Sequence, residues 1–230
     1  MSNSAFGTFS LSSVMTRVYL WMTAALAITA AAAFLMVSSP ALLQLVYGNS
    51  VAIWVLIAAE LILVVSLSAG INRLSPTTAT ALFLGYAALN GLTLSSIFFV
   101  YSIGTITQAF AASGLTFGAM SLIGATTKRD LSGLGGILMM ALIGLIIASV
   151  VNIFWANSTL DAIITYIGVF VFVGLTAYDT QKIKAMTTAA TQYGDAAAPR
   201  RIAILGALTL YLDFINLFLY ILRLFGRSRD

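Results

Sequence analysis

The chain has 230 residues, of which 60% are hydrophobic and only 8% charged, and its mean hydropathy is +1.03. A soluble domain carries roughly a quarter of its residues as charges, so a water-soluble globular protein is excluded and most of the surface must face lipid. The net charge of +4 comes from basic residues scattered over short connections with no basic run interleaved with aromatics, which reads as membrane topology rather than nucleic-acid binding.

In chain order, residues 1–16 are Ser-rich, lack charged side chains and are expected to form a flexible cytoplasmic tail. A helix crossing about 30 Å of hydrocarbon needs about 20 mostly apolar residues. Seven stretches qualify, near Val18 to Ser38, Val51 to Ile71, Ala79 to Tyr101, Thr105 to Thr126, Leu134 to Trp155, Ala162 to Tyr178 and Ile202 to Leu222. The first is too long for a secretory signal and is followed by Pro40 and Leu42 where small cleavage-site residues belong, so it is expected to be retained. Residues 17–226 are thus predicted to be a seven-helix transmembrane domain, with 227–230 a short C-terminal tail. A β-barrel is excluded, because apolar runs such as Ile137 to Ile147 do not alternate. No linker, second domain or internal repeat is visible. The longest connection, Thr180 to Arg201, has an Ala-rich middle able to extend the flanking helices.

Arg17, Arg73, Lys128 with Arg129, and Lys182, Lys184, Arg200 and Arg201 fall in alternate connections, and the other connections carry no basic residue. The N-terminus is therefore expected in the cytoplasm. Seven crossings would put the C-terminus outside, although Arg223, Arg227 and Arg229 sit there. Either the greater number of inside charges prevails, the preferred reading, or the last segment re-enters. Disulfides, thiolate chemistry and histidine catalysis are impossible without Cys or His. Chemistry here must use carboxylates, hydroxyls and amides.

Ionised groups inside a bilayer are costly and mark functional sites by default. Glu60 lies mid-span in the second helix, Asp213 mid-span in the seventh, Asp179 at the cytoplasmic end of the sixth, and Arg73 and Arg223 at span ends; the remaining charges are assigned to loops. Gly206, Thr209, Asp213, Asn216 and Tyr220 recur at helical spacing as one polar stripe. Thr165, Gly168, Phe172, Thr176 and Asp179 form a comparable stripe on the sixth helix, and since the two helices are sequential and antiparallel the stripes are able to meet.

Asp179 and Asp213 would then share the cytoplasmic half of the bundle. Two adjacent carboxylates in a low-dielectric site do not both ionise readily, so the pair is expected to share a proton, titrate as a unit and act as a pH sensor, or as a cation site when deprotonated. Arg73 is the natural counter-charge; it is too far along its own helix from Glu60, 13 residues, to pair with it. The alternative is that each Asp is satisfied by a neighbouring Arg or Asn and merely ties helices together. Glu60 and Arg223 approach the outer half from opposite directions and form a second candidate pair, structural or gating. Asn72, Asn90 and Asn152 read as interhelical glue. The glycines at 85, 91, 114, 118, 135, 136 and 144 read as close-packing positions, Met139 and Met140 as filler or lipid-facing, and Trp21, Trp54 and Trp155 as interfacial anchors.

The segment Ala177-Tyr178-Asp179-Thr180-Gln181, followed by Leu210-Tyr211-Leu212-Asp213-Phe214-Ile215-Asn216-Leu217-Phe218, resembles the transmembrane Bax inhibitor motif family, also called the Bax inhibitor-1 family. Span number and the pair Asn90-Gly91 agree, and the short N-terminus resembles bacterial members, which implies a multi-pass protein of the cell (inner) membrane. The resemblance implies a pH-sensitive passive calcium leak, built as an all-α seven-helix bundle with the seventh helix central. It also implies a gating aspartate dyad of Asp179 and Asp213, an arginine contacting it at Arg73, and an acid–arginine pair at Glu60 and Arg223. Tyr178, Thr176, Thr209 and Asn216 would be the supporting polar groups. Calcium would be the permeant ion, held only transiently by Asp179 and Asp213, with no tightly bound cofactor. The same resemblance admits a non-transporting regulator that modulates a membrane protease or stress-response partner.

An enzyme is not expected. Tyr178-Asp179 matches half of the presenilin-like intramembrane protease pattern, but Leu210-Tyr211-Leu212 stands before Asp213 where glycines are required. No lysine is placed to form a buried retinal Schiff base. No nucleotide-binding loop supplies energy, so flux would be passive.

Overall fold

A computed structural model describes residues 11–71, 73–193 and 198–227. The expected tail at residues 1–10, Asn72, Asp195, Arg229 and the last residues of the C-terminal tail lie outside the described residues. The described chain is all helical: α1 (Leu11–Ser38), α2 (Pro40–Tyr47), α3 (Ser50–Gly70), α4 (Pro76–Leu94), α5 (Ile97–Val100), α6 (Ile103–Thr126), α7 (Ser132–Trp155), α8 (Ser158–Tyr193) and α9 (Ala198–Arg227). Seven helical segments are long and apolar enough to cross a bilayer, with α4 and α5 together making one of them. They fall on the seven predicted spans, and the protein is an all-α multi-pass membrane protein.

Three features differ from expectation, each for a local reason, and a fourth agrees with it. The tail expected through residue 16 is shorter, because α1 reaches back to Leu11; Val14 and Val18 begin a buried stripe that continues through Met22, Ala25, Thr29, Ala33 and Met36. Between the first two crossings the short helix α2 starts on Ser39, whose side chain accepts from the Leu42 N–H, with Pro40 preset for the first turn. The third span is broken at Ser95 and Ser96, where the Ser95 hydroxyl donates to the Leu92 carbonyl at 2.6 Å and competes with the helix ladder. The Ala-rich segment does extend both neighbours: α8 runs to Tyr193 and α9 starts at Ala198. α9 is one uninterrupted helix of 30 residues.

The chain divides into two compact units, Met1–Ser95 with Ile183–Leu208, and Ser96–Lys182 with Thr209–Asp230. In the first, α1 and α3 both pack against α4. Apolar burial gives little drive between helices in lipid, so close packing and hydrogen bonds hold them. The Thr29 hydroxyl lies 2.9 Å from the Ala87 carbonyl of α4, and a Cβ at Gly91 would collide with the Thr29 carbonyl. The amide of Asn90 donates to the Tyr86 hydroxyl one turn back at 3.0 Å, within α4 rather than between helices. In the second unit, aromatic rings pack along α9: Phe110 meets Phe214 edge-on at 5.4 Å and Phe218 at 6.0 Å, and Phe117 meets Phe214 at 5.6 Å.

Burial is uneven along the chain. Of the apolar window of α9, 72% is buried, against 6% for α3 and 6% for α7. Leu210, Tyr211, Leu217 and Leu222 of α9 are fully enclosed, whereas Met139 and Met140 of α7 and Trp54 and Trp155 are exposed. The glycine expectation needs correction. Gly91 and Gly135 are tightly packed, but a Cβ at Gly85, Gly114, Gly118, Gly136 or Gly144 would meet nothing within 4 Å, so these five line no helix contact. Asn152 is a cap rather than glue: its side-chain oxygen accepts from the Asn157 N–H at 3.0 Å, beside Ala156 in the left-handed region at φ 47°.

Candidate functional site: the carboxyl pair of α8 and α9

The polar stripes of α8 and α9 meet inside the second unit in antiparallel register. A Cβ at Gly168 would strike the Tyr220 ring, Phe172 stacks on that ring at 5.7 Å, and farther along the same face the Asp179 and Asp213 carboxyls lie near enough to interact. A hydrogen bond between them requires that one carboxyl carry a proton, since two carboxylates offer no donor. Asp213 is 5% exposed, and its Oδ2 has no hydrogen-bond partner among the described residues. Asp179 is half-buried, and Lys182, one turn on, is near enough to act on it electrostatically.

Each residue of the α8 motif has its own contact. The Ala177 backbone occupies the space that a Cβ at Gly124 of α6 would need. Tyr178 lays its ring over Gly135 of α7, with the Lys182 ammonium 5.7 Å from its centroid. Thr180 shares a hydrogen bond of 3.1 Å with Ser121 of α6. Gln181 reaches the α6–α7 connection twice, accepting from the Leu131 N–H at 2.8 Å and donating to the Arg129 carbonyl at 2.9 Å. The motif therefore clamps α6, α7 and their connection around the carboxyl that it carries. Of these residues the sequence assigned a site role to Asp179 and Tyr178, with Thr180 and Gln181 entering only as part of the motif; Ser121 and Gly124 were missed, and the alternation of small and hydroxyl residues along α6 was the available signal.

Two of the other expected polar groups bond within their own helices. The Thr176 hydroxyl donates to the Phe172 carbonyl at 2.8 Å and the Asn216 amide to the Leu212 carbonyl at 2.8 Å, each within its own helix. Thr209 is half-buried one turn before Asp213. Arg73 is exposed in the turn after α3 and belongs to the first unit. Each member of the expected outer charge pair has a partner in its own unit. Glu60 accepts from the Thr93 hydroxyl at 2.5 Å, and Arg223 lies 3.5 Å from Asp161. Asp161 is thus no loop charge but the first-turn acid of α8. Outside the spans, Asp130 accepts from the Ser132 N–H at 2.9 Å, and the bonds to Ser132 hold its carboxyl below the ordinary carboxylate range. No group of three or more acidic side chains gathers among the described residues.

Comparison with known proteins places this arrangement. The family model described as inhibitor of apoptosis-promoting Bax1 matches residues 11–230. The inner membrane protein YbhL of Escherichia coli is 52% identical over 219 residues, covering 95% of this chain and 93% of that protein. An uncharacterised protein of Deinococcus radiodurans is 46% identical, over 94% of this chain and 90% of its own length, and one of Borreliella burgdorferi is 42% identical over 94% and 92%. The chain carrying this carboxyl pair belongs to the Bax inhibitor-1 family.

Proposed function

We propose that the protein is a pH-sensitive passive calcium leak of the cell (inner) membrane, gated by the proton that Asp179 and Asp213 share. One observation carries the reading: a buried carboxyl whose Oδ2 has no hydrogen-bond partner among the described residues lies close to a second carboxyl on the neighbouring helix. Loss or gain of the shared proton alters the bond between α8 and α9, and a two-state bundle responds to any change that favours one state. Calcium takes six to eight oxygen ligands in a standing site, so a pair of carboxyls suits an ion in passage rather than a resident one. In this reading Arg73 supplies the counter-charge, Glu60 and Arg223 act through separate partners, the protein is not an enzyme, and no cofactor is needed. The charge pattern supports a cytoplasmic N-terminus and an outside C-terminus.

The test is calcium efflux from dye-loaded liposomes containing the purified protein. The parent should leak calcium at a rate that changes with pH, and Asp179→Asn or Asp213→Asn should each remove or displace that change. A leak indifferent to both substitutions, or no leak at all, overturns the reading. The non-transporting regulator of a membrane protease would then be favoured.

A further inference from the structure

A groove of about 630 Å³ opens in the first unit where α1, α4 and α9 begin side by side. Its volume lies in the range of small-molecule sites. Arg17, Thr77 and Arg200 line one end, while Trp21, Leu84 and Ile204 line the wall one to two turns farther along the same three helices, about 6–10 Å deeper. All three helices run in the same direction from this end. The groove therefore changes from cationic to apolar along the bilayer normal, as a phospholipid does in the opposite sign. No lining group among the described residues is acidic, and both arginines are exposed. The start of α4 adds the partial positive charge of a helix N-terminus to that of the guanidinium groups. Trp21 is half-buried here, unlike the exposed Trp54 and Trp155, so one face of its ring is left to line the cleft.

We propose that this groove binds one anionic membrane phospholipid, its phosphate between Arg17 and Arg200 and its upper acyl chains along Trp21, Leu84 and Ile204. Guanidinium groups suit phosphate because their fork of N–H donors matches its oxygens. Basic pockets between transmembrane helices are a recognised form of headgroup site. The site is independent of the Asp179–Asp213 pair and of any transport role.

Trp21 supplies the readout. In the full chain carrying Trp54→Phe and Trp155→Phe it is the sole tryptophan. This protein is reconstituted into phosphatidylcholine vesicles in which either the phosphatidylcholine or a minor fraction of phosphatidylglycerol is brominated on its acyl chains. Brominated phosphatidylglycerol should quench Trp21 well beyond its share of the bilayer, with a preference that falls about fivefold for each arginine replaced by glutamine. Arg17→Lys with Arg200→Lys, which keeps the charge, should retain much of it. Salt should weaken the preference. Equal quenching by the two lipids overturns the proposal, as does a preference that survives Arg17→Gln with Arg200→Gln. If inorganic phosphate alone abolishes the preference, the occupant is a soluble anion and the lipid assignment is wrong. Should the double glutamine variant not fold, Arg200→Gln alone makes the same comparison.

Discussion

Two acids within the spans, half-buried Glu60 in one unit and buried Asp213 in the other, are placed in opposite ways. Glu60 in α3 accepts from the hydroxyl of Thr93 in α4, a neutral donor that is present whether or not the carboxyl is charged. Asp213 in α9 faces another carboxyl, Asp179 of α8, and its Oδ2 has no hydrogen-bond partner among the described residues. Protonation of Glu60 therefore leaves its helix contact in place, whereas full deprotonation of the aspartate pair would set two negative charges against each other. The first arrangement is a fastener; the second is the one proposed above as a switch.

The comparison can be broken most forcefully by separating the helices around the pair. Gly124→Leu would drive α6 off the Ala177 backbone and should destabilise the protein by about 3 kcal/mol, read as thermal unfolding in detergent, while Gly114→Leu, whose site is open, should cost far less. A smaller loss, about 1–3 kcal/mol, is expected for Thr93→Val, which takes from Glu60 the donor that the contrast assigns to it. Glu60→Gln keeps an acceptor for Thr93 and should change stability by less than about 1 kcal/mol. It should also leave the pH profile of calcium efflux where it was; a displaced profile would mean that Glu60 belongs to the same switch. Arg223→Gln removes an ion pair whose side chains are 42% and 35% exposed, and should cost no more than about 1 kcal/mol, less in high salt.

Asp130, an acid in water, completes the series with the smallest effect. Because its carboxyl is held below the ordinary carboxylate range, its contribution is present above the unfolded-state value and is lost as pH falls through the folded one. Acid titration of stability should show this step flattened in Asp130→Asn.

Span number and the aspartate pair were legible in the sequence because both follow from one-dimensional quantities. Apolar length marks a crossing, and three- and four-residue spacing puts Gly168, Phe172 and Asp179 on one face of α8, opposite Asp213 and Tyr220 on α9. The partners of Glu60 and Arg223 were not legible, since they depend on which helices pack and at what height. Asp161 was overlooked because a charge near a span end reads as a loop charge unless the helix start is known. The break at Ser95 was hidden for a different reason. Hydropathy is continuous through it, and the interruption is made by hydroxyls, with Tyr47 of α2 also bonding to Ser95 at 3.0 Å and to the Leu92 carbonyl at 3.2 Å. Five glycines misled because glycine is used both for contact and in its absence.

Those open glycines offer a practical opportunity. Gly85, Gly114, Gly118, Gly136 and Gly144 sit within helices with room for a methyl group, and an alanine at each would relieve a helix of roughly 0.5–1 kcal/mol of backbone entropy cost. A sturdier version of the molecule for crystallisation or spectroscopy can therefore be assembled from small changes on its outer surface, with every acidic side chain left as it is.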